Sequence, residues 1–349
     1  NESTYVDIPM TIDCFRFYAA ATRTTMRGET YPSNGMLLYT LKEPVGVVGQ
    51  IIPWNFPLMM AAWKLGPALA AGNAVVLKPA EQTPLTALKL AQIFKEAGVP
   101  DGVVNVLPGY GETAGASLAL HPDVDKVAFT GSTEVGKSIM RNASDSLKRL
   151  SLELGGKSPN VIFADADLDQ AVNGALFAIF FNQGECCTAG SRLFVQAPIY
   201  DAFMEKLLSK VKALRVGDPT SNMTQVGALI SQEQYDKVKN YIEIGQQEGA
   251  ELLAGGSVPN GELSKGLFVN PTVFGNVKNT MRIAQEEIFG PVISVLRFED
   301  EAEAVQLVNN VAYGLASAVW SNNLKRAHNF ASQIKAGYVW INTYNVLPI

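Results

Sequence analysis

Residues 46–80, GVVGQIIPWNFPLMMAAWKLGPALAAGNAVVLKPA, contain a strand, a helix and a second strand in that order. GVVGQIIP is a continuous apolar run, as expected of a strand covered on both faces. Residues NFPLMMAAWKLGPALAAG (55–72) are helical in composition. They stop at Gly72, since glycine readily takes the left-handed conformation that ends a helix. NAVVLKPA is the second strand.

Downstream the alternation continues. TPLTALKLAQIFKEAG (83–98) is a helix with Thr83 as N-cap, Pro84 at the first helical position and Gly98 past its end. VVNVLPG (103–109) and DKVAFTGS (125–132) are strands, and a helix starts near Thr133. RLSLELGG (149–156) is a fifth strand. It places Leu150, Leu152 and Leu154 on one face, Ser151 and Glu153 on the other. Five strands with intervening helices predict an α/β fold built on an open parallel sheet, the doubly wound nucleotide-binding class. Ligands of such sheets bind at the carboxyl ends of the strands. Trp54, Asn55, Lys78, Glu81, Gly109, Gly111, Gly131, Ser132 and Glu153 lie there.

Upstream, GMLLYTLKEP (35–44) alternates without a strong polar face. It reads as an extended arm covered by another subunit, or equally as a hairpin on its own domain. The second half is another α/β domain. A helix runs from about Asp167 to Phe181. It is followed by strands SRLFVQ (191–196), LFVNPTVF (267–274), PVISVLRF (291–298), ASAVWS (316–321) and YVWINTYN (338–345). Helices are expected over 199–214, 231–249 and 299–310. The expected division is 1–25 with 45–155, an arm over 26–44, and a second domain over 156–349. The boundary falls at the hinge-like Gly155-Gly156.

A hydrophobic content of 47% and a charged content of 17% fit a globular protein in water. A net charge of −5 argues against a nucleic-acid partner. No apolar run has the length of a membrane span. Three cysteines make no disulfide framework, which suggests a reducing compartment. The cytoplasm is expected, with the mitochondrial matrix as the other option. The two histidines, His121 and His328, sit in a loop and an amphipathic stretch, so neither a metal site nor a Ser–His–Asp triad is expected.

FFNQGECCTAGSR (180–192) sets two cysteines side by side. The spacing is wrong for zinc, and a disulfide between neighbours would strain the backbone. One of the two is then a nucleophile, and the pair alone does not say which. Its base would be a carboxylate. Glu153 is a candidate, and a capping or ion-pair role suits it equally. A site between two domains would bring Glu153 and Cys187 together.

Six blocks occur in order: PWNFP (53–57), LKPAEQTP (77–84), FTGSTEVG (129–136), LELGGKSPN (152–160), FFNQGECCTAGSR and EEIFGPV (286–292). Together the chain resembles the NAD(P)-dependent aldehyde dehydrogenase superfamily, closest to its broad-substrate, non-phosphorylating group. The resemblance implies a Rossmann-type sheet domain, a second α/β catalytic domain and an oligomerisation arm. It also implies oxidation of an aldehyde to the acid through a cysteine thiohemiacetal, hydride transfer and thioester hydrolysis.

By this resemblance Cys187 is the nucleophile, with its thiol pKa lowered locally, and Glu153 activates water. The Asn55 side chain and the Cys187 backbone N–H hold the oxyanion, although Asn55 is also placed to cap a helix. Glu185 replaces the commoner glutamine and adds a charge near the site. NAD is the implied cofactor and NADP the weaker option. No GxGxxG is present; Ser132 and Trp54 would hold the pyrophosphate and Lys78 and Glu81 the adenosine ribose, with Ile51 and Gly111 in the same site. Glu287 would bind the nicotinamide ribose and Phe289 pack beside the ring.

The implied substrate pocket comprises Met10, Phe56, Met60, Trp63, Phe181, Cys186 and Thr188. It suits an uncharged aldehyde, and each member also suits plain core packing. A homodimer or homotetramer is implied for the full-length chain. Relative to the family pattern the chain is short at both ends, so a fragment or a truncated form is expected. The alternatives are a non-catalytic member, a CoA-acylating relative and a cysteine esterase.

Overall fold

The computed structural model describes residues 2–346. Residues 1 and 347–349, at the ends of the ranges expected for the two domains, lie outside the described residues. The chain divides into two compact units, one running to Leu154 and the other starting at Gly155.

The first unit opens with α1 (Ile8–Thr24), a helix that sequence patterning did not reveal. Its fully buried residues, Thr11, Cys14 and Ala21, are small or polar, so no apolar stripe announces it. It packs on α2 (Pro57–Ala70), which approaches closely because Gly66 has no side chain. A Cβ there would lie 2.8 Å from the Tyr18 ring. Between the two helices, β1 (Thr30–Tyr31) and β2 (Leu38–Tyr39) form a short antiparallel ribbon. Met36, Leu37 and Leu41 of the predicted arm are exposed.

The five remaining strands are β3 (Val47–Ile51), β4 (Ala74–Lys78), β5 (Val104–Val106), β6 (Lys126–Thr130) and β7 (Arg149–Glu153). All pair in parallel, in the order β5-β4-β3-β6-β7. The chain winds outward from β3 and then returns to its other side at β6. The switch point therefore lies at the carboxyl ends of β3 and β6, where open α/β sheets bind ligands. The crossovers carry α3 (Leu85–Glu96), α4 (Ala116–Leu120) and α5 (Thr133–Ala143). Leu150, Leu152 and Leu154 pack against Val127, Phe129 and Ile139 as the alternation requires.

Two cap expectations are corrected. Helix α3 begins at Leu85 without a side-chain cap, and the Thr83 hydroxyl is buried without a hydrogen bond. The cap position of α2 is held by Phe56, not Asn55. In both cases the proline after the expected cap starts or shifts the first turn by its fixed φ.

The second unit is a seven-stranded mixed sheet in the order β10-β11-β12-β9-β8-β13-β14. Its strands are β8 (Pro159–Ile162), β9 (Arg192–Gln196), β10 (Glu251–Ala254), β11 (Thr272–Gly275), β12 (Val292–Phe298), β13 (Ala316–Trp320) and β14 (Tyr338–Ile341). Only β10 runs antiparallel to its neighbour. The helices are α6 (Leu168–Phe180), α7 (Tyr200–Lys212), α8 (Gln232–Gln247), α9 (Arg282–Gln285), α10 (Glu301–Asn309) and α11 (Leu324–Gln333). Asp167, Ser231, Asp300 and Asn323 cap α6, α8, α10 and α11 with their side-chain oxygens. Phe163 anchors the core with edge-on contacts to Phe298 and Phe330 at 5.4 and 5.1 Å. No helix among the described residues is long and apolar enough to cross a membrane.

Candidate active site

Helix α6 delivers the chain into the cysteine loop. Three residues there are left-handed in succession: Asn182 (φ 49°), Gln183 (φ 56°) and Gly184 (φ 74°). Each non-glycine residue in that conformation costs roughly 1–2 kcal/mol. Gly184 is required twice, by its φ and because a Cβ would stand 2.2 Å from the Gly290 carbonyl oxygen. Gly156 passes against the loop so closely that a Cβ on it would lie 2.2 Å from the Cys187 oxygen.

The loop is tied down on its far side. The Thr188 hydroxyl donates to Asn345 Oδ1 at 2.7 Å, and the Tyr344 hydroxyl donates to the Thr188 carbonyl at 2.7 Å. The Gly190 N–H reaches the Ala178 carbonyl at 2.9 Å. Tyr344 and Asn345 were legible only as strand residues.

Cys14 and Cys186 are buried, whereas Cys187 is partly accessible. Cys186 Sγ lies 3.2 Å from the Thr188 hydroxyl. Access thus favours Cys187 as the sulfur that meets a substrate. The expectation of a lowered thiol pKa is corrected. The Cys187 thiol is held well above the usual range by its hydrogen bond with Cys186, then by burial, then by the negative charges of Cys186 and Glu287.

Glu185 is corrected too. The residue is only 3% exposed, so it adds no solvent-facing charge. Burial pushes its pKa up to about 8, against the opposing effect of hydrogen bonds from the Ile230 N–H and Gln183. At neutral pH it is chiefly the neutral acid.

Beside the loop, Glu287 Oε1 accepts the Gly156 N–H at 2.8 Å. A Cβ on Gly155 would lie 2.2 Å from Glu287 Oε2. The Gly155-Gly156 pair therefore admits this carboxylate to the backbone. Phe289 is left-handed (φ 61°). The Gln234 amide donates to the carbonyls of Ile288 at 3.1 Å and Phe289 at 2.6 Å, and so holds that turn. The Phe181 ring lies 5.1 Å from that of Phe177. Lys157 is fully buried below this turn. Burial and then Arg192 pull its pKa down to about 7, with Glu287 acting in the opposite sense.

In the first unit the candidate residues gather at the carboxyl ends of the strands. Ile51 is buried at the end of β3, and Trp54 and Asn55 follow it half-buried. Lys78 ends β4. It is 2% exposed, and its amine donates to the Pro79 carbonyl at 2.7 Å and to Glu81 Oε2 at 3.3 Å. Ser132 caps α5, accepting the Val135 N–H at 3.3 Å. Gly111 starts a short turn with no atom within 4 Å of where its Cβ would be. Glu153 is exposed on the edge strand, and its carbonyl accepts the Gly131 N–H at 3.1 Å.

Phe56 and Met60 are buried, while Met10 and Trp63 are half-buried on α1 and α2. In this unit plain packing accounts for the first two. Lys64, also on α2, was read only as an interruption of an apolar run. Burial pulls its pKa down to about 8, Glu153 pulls it up and Lys126 pulls it down. A lysine inside an apolar helix was the available signal. Among the described residues no His, Cys, Asp and Glu cluster could hold a metal ion.

The family model described as the aldehyde dehydrogenase family matches residues 1–349. The mitochondrial aldehyde dehydrogenase of Mesocricetus auratus is 55% identical over 346 residues, covering 99% of this chain and 68% of that protein. The NAD+ complex of aldehyde dehydrogenase from Bacillus cereus superposes with a TM-score of 0.95 at 51% identity, covering 98% of this chain and 69% of that one. The aldehyde dehydrogenase KauB from Pseudomonas aeruginosa superposes with a TM-score of 0.96 at 50% identity, covering 99% and 70%.

Proposed function

The chain belongs to the aldehyde dehydrogenase family and is an NAD-linked oxidoreductase, and on that premise we propose that it oxidises an uncharged aldehyde through a covalent bond to Cys187. The observation that carries this reading is the access of Cys187, the least buried of the three cysteines, on a loop of fixed and strained backbone.

The residues at the sheet ends suit a dinucleotide. The switch point, the Ser132-capped start of α5 and the open space at Gly111 offer N–H groups and room for a pyrophosphate. Ser132 and Trp54 would hold that group, with Ile51 and Gly111 in the same site. Lys78 and Glu81 would hold the adenosine ribose, where the Glu81 carboxylate repels a 2′-phosphate and favours NAD over NADP. Glu287 would meet the nicotinamide ribose and Phe289 the ring side. Bound NAD supplies the hydride acceptor and a positive charge that favours thiolate.

The chain's own residues do the rest. The Cys187 thiol, held protonated by its surroundings, gives up its proton to Glu153 and its sulfur attacks the carbonyl carbon. The Asn55 amide and the Cys187 N–H donate to the oxygen as it gains charge. Loss of hydride from the same carbon leaves a thioester on sulfur. Glu153, having passed the thiol proton to solvent, then takes a proton from water, and the hydroxide releases the acid.

A water-activating glutamate favours hydrolysis over transfer to CoA. Met10, Phe56, Met60, Trp63, Phe181, Cys186 and Thr188 would be the apolar substrate contacts of this reading. The exposed side chains of Met36, Leu37 and Leu41 support subunit association through the ribbon.

The direct test is NADH formation with a simple aliphatic aldehyde. Cys187→Ala should lose all measurable turnover and Cys186→Ala far less; the reverse pattern would falsify the assignment.

A further inference from the structure

We propose that Gln183 and Glu185 are positioning residues of the nucleophile. Their side chains pin the loop Asn182–Cys187 to the segment Gly227–Gln234. The inference rests on Cys187 as the reacting sulfur.

Consecutive left-handed residues persist only where their surroundings over-determine them. At Asn182, Gln183 and Gly184 the surroundings are specific. Gln183 Oε1 accepts the Gly227 N–H at 3.2 Å, and Glu185 Oε1 accepts the Ile230 N–H at 3.1 Å. Within the loop, the Glu185 N–H donates to the Asn182 carbonyl at 2.9 Å, and Asn182 Nδ2 donates to the Glu185 carbonyl at 3.2 Å. The two acceptors on the loop thus match two backbone donors three residues apart on one short segment.

That segment holds a second strained turn. It runs into α8 through the Ser231 cap, and Gln234, three residues on, grips the carbonyls of Ile288 and Phe289. It is itself anchored by the Leu229 N–H on the Leu267 carbonyl at 2.9 Å. One stretch of eight residues therefore braces both the cysteine loop and the turn that carries Glu287 and Phe289. Loosening it moves the sulfur and the nicotinamide-side residues together.

A glutamine in place of Glu185 would keep the acceptor for the Ile230 N–H, whereas an alanine would remove it.

The test compares kcat and KM of Gln183→Ala, Glu185→Ala and Glu185→Gln with those of the unaltered chain. The two alanine variants should lower kcat by roughly ten-fold or more with the KM for the aldehyde little changed, and Glu185→Gln should recover most of that loss. Unaltered kcat in both alanine variants, or no recovery in Glu185→Gln, overturns the proposal.

A second measurement reads the loop directly. Amide hydrogen exchange of Glu185→Ala should show residues 181–187 and 227–234 losing protection together relative to the unaltered chain. Loss in neither segment, or in only one, also overturns it. Neither readout depends on which cysteine reacts. Retained turnover in Cys187→Ala would instead overturn the nucleophile assignment.

Discussion

The cysteine loop and the carboxyl ends of the five-stranded sheet are built on opposite plans. The loop uses three left-handed residues in succession, glycines at 156 and 184 that admit no Cβ, and hydrogen bonds to three separate segments. The sheet ends use ordinary backbone, one lysine–glutamate pair, one serine cap and open space at Gly111. The difference follows from what each must do. A covalent step needs the sulfur and its neighbouring N–H fixed to a fraction of an ångström. A dinucleotide is held by many contacts, none of which must be perfect. Damage to the catalytic set should therefore be nearly all-or-none, and damage to the cofactor set graded.

Asn55 offers the sharpest way to break that contrast, because it lies at a sheet end by position and in the catalytic set by its proposed role. Asn55→Ala should lower kcat by about 100- to 1000-fold, the usual cost of one oxyanion donor. A loss of only a few-fold would return Asn55 to the scaffold. Glu81→Ser should act gently, shifting the kcat/KM ratio of NADP to NAD by roughly ten-fold through lost repulsion of the 2′-phosphate. An unaltered ratio would remove Glu81 from the cofactor account.

Much of the sheet was legible because buried parallel strands leave apolar runs, as Val47–Ile51 and Ala74–Lys78 do. The start of α6 was legible from Asp167, whose side chain caps it. Helix α1 was not, since its inward residues are too small to mark a stripe. Strand β8 is four residues long and lies in a loop-like stretch, and β10 is an edge strand with little burial.

The site was legible as a set of residue types, not as a set of charge states. The adjacent cysteines do not reveal which is accessible, and a glutamate letter does not reveal that burial keeps it protonated. Neither the apolar run around Lys64 nor the block that holds Lys157 reveals a charge state, and only the fold around the two lysines lowers their pKa values. Asn182 and Gln183 gave no local warning of their left-handed backbone, which is imposed by contacts with residues 227–230, more than forty positions away.

The central claim is an acyl group carried on the sulfur of Cys187 and released by water that Glu153 activates. Acid-quenched mass spectrometry of wild type and Glu153→Gln, each turning over an aliphatic aldehyde with NAD, tests it most directly. The predicted result is an acyl adduct localised to Cys187 that builds up in Glu153→Gln. An adduct on another residue, or none in Glu153→Gln under turnover, would contradict it.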